Sequence, residues 1–329
     1  MRFRPKTLAP LVALPVSACS FEGPQSVLSP AGIDAEQLVS LFWFLLAIAV
    51  VLWLLMNGLF FVITRITGRA HSPKLAERII IGGGIVFPVI GLAAILGYGL
   101  SIMPDQRAPG DGLVLKVTGE RFWWRVEYWP EGAEAPIYSA NEIRLPVGRR
   151  SDIRLDADKV IHSFWIPALA GKMDMFPGRE TSLRLEPTKT GTYRGQCAEF
   201  CGESHALMAF QAVVMEEDAF SAWLEEQERD AAQPKGEKAE RGRDLFMSNG
   251  CGACHAVRGT EAAGQVGPDL THVGSRESLA AGILPNAPQS FAEWTRHAAA
   301  LKPDVDMPSY AYLSADELGA IAHYLEGLQ

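Results

Sequence analysis

The sequence predicts a multidomain chain: a transmembrane α-helical hairpin, then an all-β sandwich, then an all-α C-terminal domain. Three observations predict it. Two apolar runs, 38–63 and 79–102, each exceed the roughly 20 residues that cross a bilayer as a helix. Residues 111–220 alternate apolar and polar side chains with the period of strands. The last segment, 239–329, closes on the apolar stripe of a helix, Leu318, Ile321, Ala322 and Leu325, behind a Ser314/Glu317 capping box. The 329 residues leave room for two or three domains, and the net charge of −8 without any basic block excludes nucleic acid as a partner.

The N-terminus reads as an export signal over residues 1–18: Arg2, Arg4 and Lys6, then the apolar stretch 8–16, then Ser17 and Ala18. Val16-Ser17-Ala18-Cys19 resembles a bacterial lipobox, which implies lipidation of Cys19 as the mature N-terminus. Val16 stands where that motif usually has Leu. The hairpin occupies 19–110. Its connecting loop carries Arg65, Arg69, Lys74 and Arg78 against the single acid Glu77, and short basic loops stay in the cytoplasm. Both ends of the hairpin therefore lie outside, in agreement with the export signal. Gly82, Gly83 and Gly84 in the second run allow close approach of another helix, so a larger membrane partner is expected.

In the sandwich, Leu113, Leu115 and Val117, then Ile143, Leu145 and Val147, then Ile153 and Leu155, then Leu183 and Leu185 form alternating sets that Val213 and Met215 close. Short runs of this kind, broken by Gly, Pro and Asp, predict antiparallel strands. Between the last two strands lies Cys197-Ala-Glu-Phe-Cys201-Gly-Glu-Ser-His205-Ala-Leu-Met208. Thiolate and thioether are soft ligands, and a thioether favours copper over zinc. A Cys197–Cys201 disulfide or a zinc site are the other readings of the two thiols. Gly202 supplies a turn that lets both cysteines face one site, and His162 is the sandwich's one other histidine.

The run Cys-x-Glu-x-Cys-x3-His-x2-Met, with His162-Ser-Phe-Trp upstream, resembles subunit II of haem–copper cytochrome c oxidases. The resemblance implies a cupredoxin-like sandwich holding a binuclear copper centre, CuA. Cys197 and Cys201 would bridge the coppers, His162 and His205 would each bind one, and Met208 and the Glu199 carbonyl would be weak axial ligands. The Glu199 side chain would face a magnesium ion shared with subunit I. Gly119-Glu-Arg-Phe122-Trp123-Trp124 resembles the family's aromatic run, whose first Trp admits electrons. Phe122 stands at that place here, which leaves Trp123 and Trp124 as the candidates for electron entry.

Residues 221–238 are charged and contain Pro234 and Gly236, as a linker would. Beyond them, Cys251-Gly-Ala-Cys254-His255 is the attachment motif of a c-type haem. The two thiols would hold the haem covalently and His255 would bind its iron. Met307, the last methionine in the chain, is the sixth-ligand candidate, ahead of His272, His297 and His323. The order of these features resembles a class I cytochrome c domain.

Together the resemblances imply a caa3-type oxidase subunit II. It would be an electron relay in a bacterial inner membrane with both metal domains on the periplasmic side. Electrons would come from a donor cytochrome or an upstream respiratory complex and pass through haem c and CuA to subunit I, for oxygen reduction and proton pumping. No catalytic residue for oxygen is expected on this chain, since neither span carries a histidine. Two other readings are the small subunit of a haem–copper nitric oxide reductase and a membrane copper-binding or assembly factor.

Overall fold

The computed structural model describes residues 21–66, 72–106, 108, 110 and 112–329. The export signal and Cys19 lie outside the described residues. Helix α1 (Ile33–Phe61) continues through a π-helical turn. Helix α2 (Pro73–Ile81) starts where the Ser72 hydroxyl accepts the Leu75 N–H and Pro73 takes the first helical position, and it runs through a second π-turn into α3 (Phe87–Gln106). The two rods, of 33 and 31 residues, have mean hydropathies of 2.8 and 2.6. At a rise of about 1.5 Å per residue each outruns the roughly 30 Å apolar core of a bilayer. Trp53, Phe60, Leu92 and their neighbours are exposed, as lipid-facing side chains are. Methyl groups added at Gly82, Gly83 and Gly84 would meet nothing, so that strip is open to another helix.

The start of α1 is joined to the sandwich. Ala31 N–H donates to the Ala168 carbonyl at 2.7 Å, Ile33 to Glu186 at 3.1 Å and Ala35 to Leu169 at 3.3 Å.

The sandwich consists of β1 (Val114–Gly119), β2 (Trp124–Trp129), β3 (Ile137–Ala140), β4 (Glu142–Pro146), β5 (Ser151–Ala157), β6 (His162–Trp165), β7 (Met173–Met175), β8 (Thr181–Leu185), β9 (Gly191–Cys197) and β10 (Ala209–Met215). One sheet has the order β3-β2-β1-β5-β8 and the other β4-β10-β9-β6-β7. Most neighbours are antiparallel, as the alternation predicts, but β1 pairs with β5 and β4 with β10 in parallel. Alternation records which side of a strand is buried and is silent on the direction of its neighbour. It also misplaces the last strand. Ala212 and Val214 are buried there, while Val213 and Met215 are half-buried on the other side. The run is apolar at both parities, so its register is set by pairing with β9 rather than by pattern. Leu115, Val117, Val126, Leu145, Ile153 and Leu155 are fully enclosed between the sheets.

Helix α4 (Glu217–Glu228) reaches into the span expected as linker. Its stripe of Phe220, Trp223 and Leu224 lies on the sandwich, with Trp223 5.2 Å from Tyr128 between ring centroids. The connector proper is therefore residues 229–236.

The C-terminal domain packs α5 (Glu237–Ser248) and α6 (Pro288–Leu301) on α7 (Ala315–Glu326). Phe246, Leu318, Ile321, Tyr324 and Leu325 form its core. At the start of α7 the Ser314 hydroxyl accepts the Glu317 N–H and the Glu317 carboxylate accepts the Ser314 N–H, which makes the box expected from sequence. Ser314→Ala is expected to destabilise this domain by about 1 kcal/mol, read as a lowered midpoint of its thermal unfolding.

The domain sits against the sandwich through polar contacts. Ala209 N–H donates to Ala281 at 3.1 Å, Glu277 N–H to the Glu142 carboxylate at 2.7 Å, and Arg125 to the Gln265 carbonyl at 2.8 Å.

Candidate metal centre

Strands β9 and β10 hold the ends of the cysteine loop, and β6 lies on the other side of β9. Phe164 of β6 is opposite Cys197, which puts His162 beside the end of β9. The pattern is why residues 35 apart in sequence meet: His162 Nδ1 is 3.8 Å from Cys197 Sγ. The two sulfurs are 3.9 Å apart and stand as free thiols, about twice the length of a disulfide bond. His205 Nδ1 lies 3.7 Å from Cys201 Sγ and Met208 Sδ 3.9 Å from it. The Glu199 carbonyl oxygen is 3.2 Å from Cys197 Sγ. All six expected copper-binding groups thus converge, and His162, Cys197, Cys201 and Met208 are buried. Both imidazoles turn Nδ1 toward the sulfurs. Gly202 reverses the loop with φ of +134°, and the Phe122 ring fills the space where its side chain would be.

The thiols are coupled through the proton between them. The hydrogen bond from Cys201 holds the Cys197 thiol far below its ordinary range, while the same pairing and burial push Cys201 up. A metal ion takes both sulfurs as thiolates and so displaces the proton they share. The donor set fits soft metal ions: two sulfurs flanked by two nitrogens, with a thioether and a carbonyl at the edge. One Glu199 carboxylate oxygen accepts the Phe200 N–H at 3.1 Å, and the Phe200 ring is exposed beside the site.

An open cavity of about 460 Å³ lies between the C-terminal domain and the 120–125 stretch of the sandwich. Cys251, Cys254, His255 and Met307 line it among apolar side chains that include Phe246, Leu270 and Ile321. The Nδ1–H of His255 must be the donor to the Pro268 carbonyl at 2.8 Å, since a carbonyl only accepts. That leaves Nε2 with its lone pair free, and burial holds the imidazole below its usual range, so it stays neutral. Gly267 is required here, because a Cβ would come within 2.5 Å of the His255 ring. The other histidines are elsewhere. His272 bonds the Arg229 carbonyl at 3.1 Å, His323 is exposed beside Glu326, and His297 is exposed. Two thiols, a neutral imidazole and a thioether around an apolar space fit a covalently held haem.

The aromatic run falls between the two sites. Phe122 is 1% exposed, lines the cavity and packs on Gly202 of the cysteine loop. Trp123 also lines the cavity, with the Arg125 guanidinium 4.7 Å from its ring. Trp124 is instead in the sandwich core, 5.1 Å from Phe210 and 6.1 Å from His162 between ring centroids. Sequence reasoning passed over Phe122 because it departs from the family's Trp. It also passed over Ser204, whose hydroxyl donates to the Pro303 carbonyl at 2.5 Å. That bond joins the residue before His205 to the strip leading to Met307, and no pattern in the chain announces it.

Residues 127–216 match the family model described as the cytochrome c oxidase subunit II periplasmic domain, and residues 239–329 match the cytochrome c model. A curated relative, cytochrome c oxidase subunit 2 of Alkalihalophilus pseudofirmus, is 38% identical over 69% of this chain and 64% of its own length. The Bacillus subtilis protein of the same name is 31% identical over 74% of this chain and 70% of its own. The match thus spans slightly under two thirds of the first relative and slightly over two thirds of the second. A crystal structure of the periplasmic domain of cytochrome oxidase subunit II from Bradyrhizobium japonicum aligns over 37% of this chain and 96% of that one, at 29% identity and a TM-score of 0.34. With both metal-site patterns in one chain and relatives of one name along most of its length, the chain belongs to the cytochrome c oxidase subunit II family and carries a cytochrome c domain at its C-terminus.

Proposed function

We propose that the chain relays electrons into an aerobic respiratory oxidase of the caa3 type. Haem c and a two-copper centre, when bound, each supply reversible one-electron storage. Cys251 and Cys254 would hold the haem, and His255 and Met307 would bind its iron. Cys197, Cys201, His162, His205, Met208 and the Glu199 carbonyl would hold the coppers. Electrons enter at the C-terminal domain from an external donor and leave the cysteine loop toward subunit I, where oxygen is reduced and protons are pumped. The Glu199 carboxylate, beside the exposed Phe200, is the proposed place of a magnesium ion at that contact. Two spans, other membrane subunits against the glycine strip, and both metal domains on the periplasmic side of the inner membrane complete the reading.

One observation carries it. The haem-sized cavity and the cysteine loop share a wall, since Phe122 lines one and packs on the other. A tethered donor needs no bimolecular encounter, its effective concentration being in the millimolar range. Rigid buried sulfur and imidazole ligands change little on accepting an electron, which suits transfer rather than substrate chemistry. Flash reduction of the C-terminal domain is expected to be followed by copper reduction at a rate independent of protein concentration. A rate that rises in proportion to concentration would show transfer between molecules and sink the relay.

A further inference from the structure

The segment His205-Ala-Leu-Met208 of the cysteine loop is held at both ends by the C-terminal domain. Just before it, Ser204 is fully buried, and its hydroxyl donates to the Pro303 carbonyl at 2.5 Å. Ser204 stands at the cap of the 3-10 turn His205–Leu207 but makes no side-chain cap bond there, so its hydroxyl serves the interface instead. Just after the segment, Ala209 N–H donates to the Ala281 carbonyl at 3.1 Å. Ala280, Ala281 and Gly282 have positive φ of 53°, 62° and 81°. That conformation is unfavourable for alanine and persists where the surroundings fix it. Here it accompanies a carbonyl aimed at Ala209. Lys302, 2% exposed at the cavity wall, donates from Nζ to the Ala280 carbonyl at 3.1 Å and so ties the two holding strips to each other.

The hold is mutual. Met307 follows a strip that the sandwich grips. Pro303 accepts from Ser204, Val305 packs on the sandwich core, and the Arg121 guanidinium lies 3.6 Å from both the Asp304 and the Asp306 carboxylates. Arg121 belongs to the turn between β1 and β2, beside Phe122. Each methionine therefore lies on a segment whose anchors cross to the opposite domain. We propose that docking of the two domains positions both thioethers, Met208 in the sandwich and Met307 in the C-terminal domain. A disturbance on one side of the interface then registers at the site on the other. A thioether is a weak donor, and such a ligand tunes the potential of a copper site. Interfaces between domains of one chain are commonly small and polar, and they open. Docking thus becomes a variable to which both sites respond together. Ser204 and Arg121 are positioning residues in this arrangement, acting through the segments that carry the methionines.

The proposal rests on the reading of both sites above, and the test separates the two. Asp304→Asn combined with Asp306→Asn, in the C-terminal domain, removes the charges that Arg121 holds. Asparagine keeps the shape and tolerates the φ of 60° at position 304. Hydrogen exchange of the full-length protein, followed by mass spectrometry, is read on the sandwich. Residues 204–209 are expected to exchange about fivefold faster, the scale of two half-exposed ion pairs, and the near-infrared copper band is expected to move. Ser204→Ala, in the sandwich, is expected to speed exchange of residues 303–307 about tenfold, the scale of one hydrogen bond, and to weaken the thioether-dependent absorption band of the ferric haem. In both variants the helices α5 and α7 should exchange as in wild type. Unchanged exchange of 204–209 in the aspartate variant, an unmoved copper band, or equal acceleration throughout both domains overturns the proposal. Wild-type protein without copper or without haem would overturn the reading of the sites instead. The exchange results need neither group and would still decide whether the domains brace each other.

Discussion

Cys197→Ser is expected to keep its covalent haem and lose its copper. Two sulfurs 3.9 Å apart, each beside an imidazole nitrogen, are the arrangement in which both can bridge two ions. A serine oxygen is hard, poorly ionised, and bonds at shorter range, so it replaces neither the charge nor the softness of the thiolate. Even partners that only support a metal ligand cost about 10–100-fold in affinity or activity when removed. Loss of a bridging ligand should therefore lower electron flux from haem to oxygen by at least about 100-fold. Copper analysis and the near-infrared band of mixed-valence copper check the site, and oxygen uptake checks the flux. Normal copper content with an intact band in Cys197→Ser would refute the bridging assignment. Cys201→Ser removes the other sulfur of the pair and is expected to give the same loss.

Met307→Ala is expected to leave the haem attached and change what it does. The substitution leaves the thiols of Cys251 and Cys254 in the cavity wall, so haem content should match wild type. A thioether opposite an imidazole raises the haem potential. Its loss should lower the midpoint on the order of 0.2 V and turn the ferrous spectrum toward a five-coordinate or water-ligated form. Transfer to copper then runs uphill and slows. Spectroelectrochemistry of the variant reads both effects, and an unchanged spectrum and midpoint would remove Met307 from the iron. Among the described residues, no other histidine of the C-terminal domain is positioned to substitute, because His272 is engaged with the Arg229 carbonyl and His297 and His323 face solvent.

The chemistry-bearing residues were legible in the sequence where they are contiguous. Cys251 to His255 and Cys197 to Met208 announce themselves by spacing, because metals need several donors within a few ångströms and a short loop is the simplest way to supply them. His162 was reachable because β6 borders β9 and the domain holds a single further histidine. The two membrane rods were legible because a bilayer imposes one length and one polarity. What pairing and packing decide was not. The parallel neighbours of β1 and β10 and the face of Val213 depend on which strand lies alongside, and alternation does not encode that. Trp124 and Phe122 are near neighbours of similar chemistry, yet one fills the core and the other separates two sites. Lys302 looks like an ordinary surface lysine before a proline until the cavity behind it is seen.

The seam at the start of α1 has a consequence for how the protein responds to its lipid surroundings. Three backbone hydrogen bonds, from Ala31, Ile33 and Ala35, join the first span directly to the sandwich. A span longer than the local hydrocarbon thickness tilts to fit it. Because these bonds tie the span to the sandwich, the tilt is passed to the domain above, and the cysteine loop leans with it. Bilayer thickness thereby becomes a setting on the aim of the cysteine loop, made by the membrane and transmitted through that hydrogen-bonded seam.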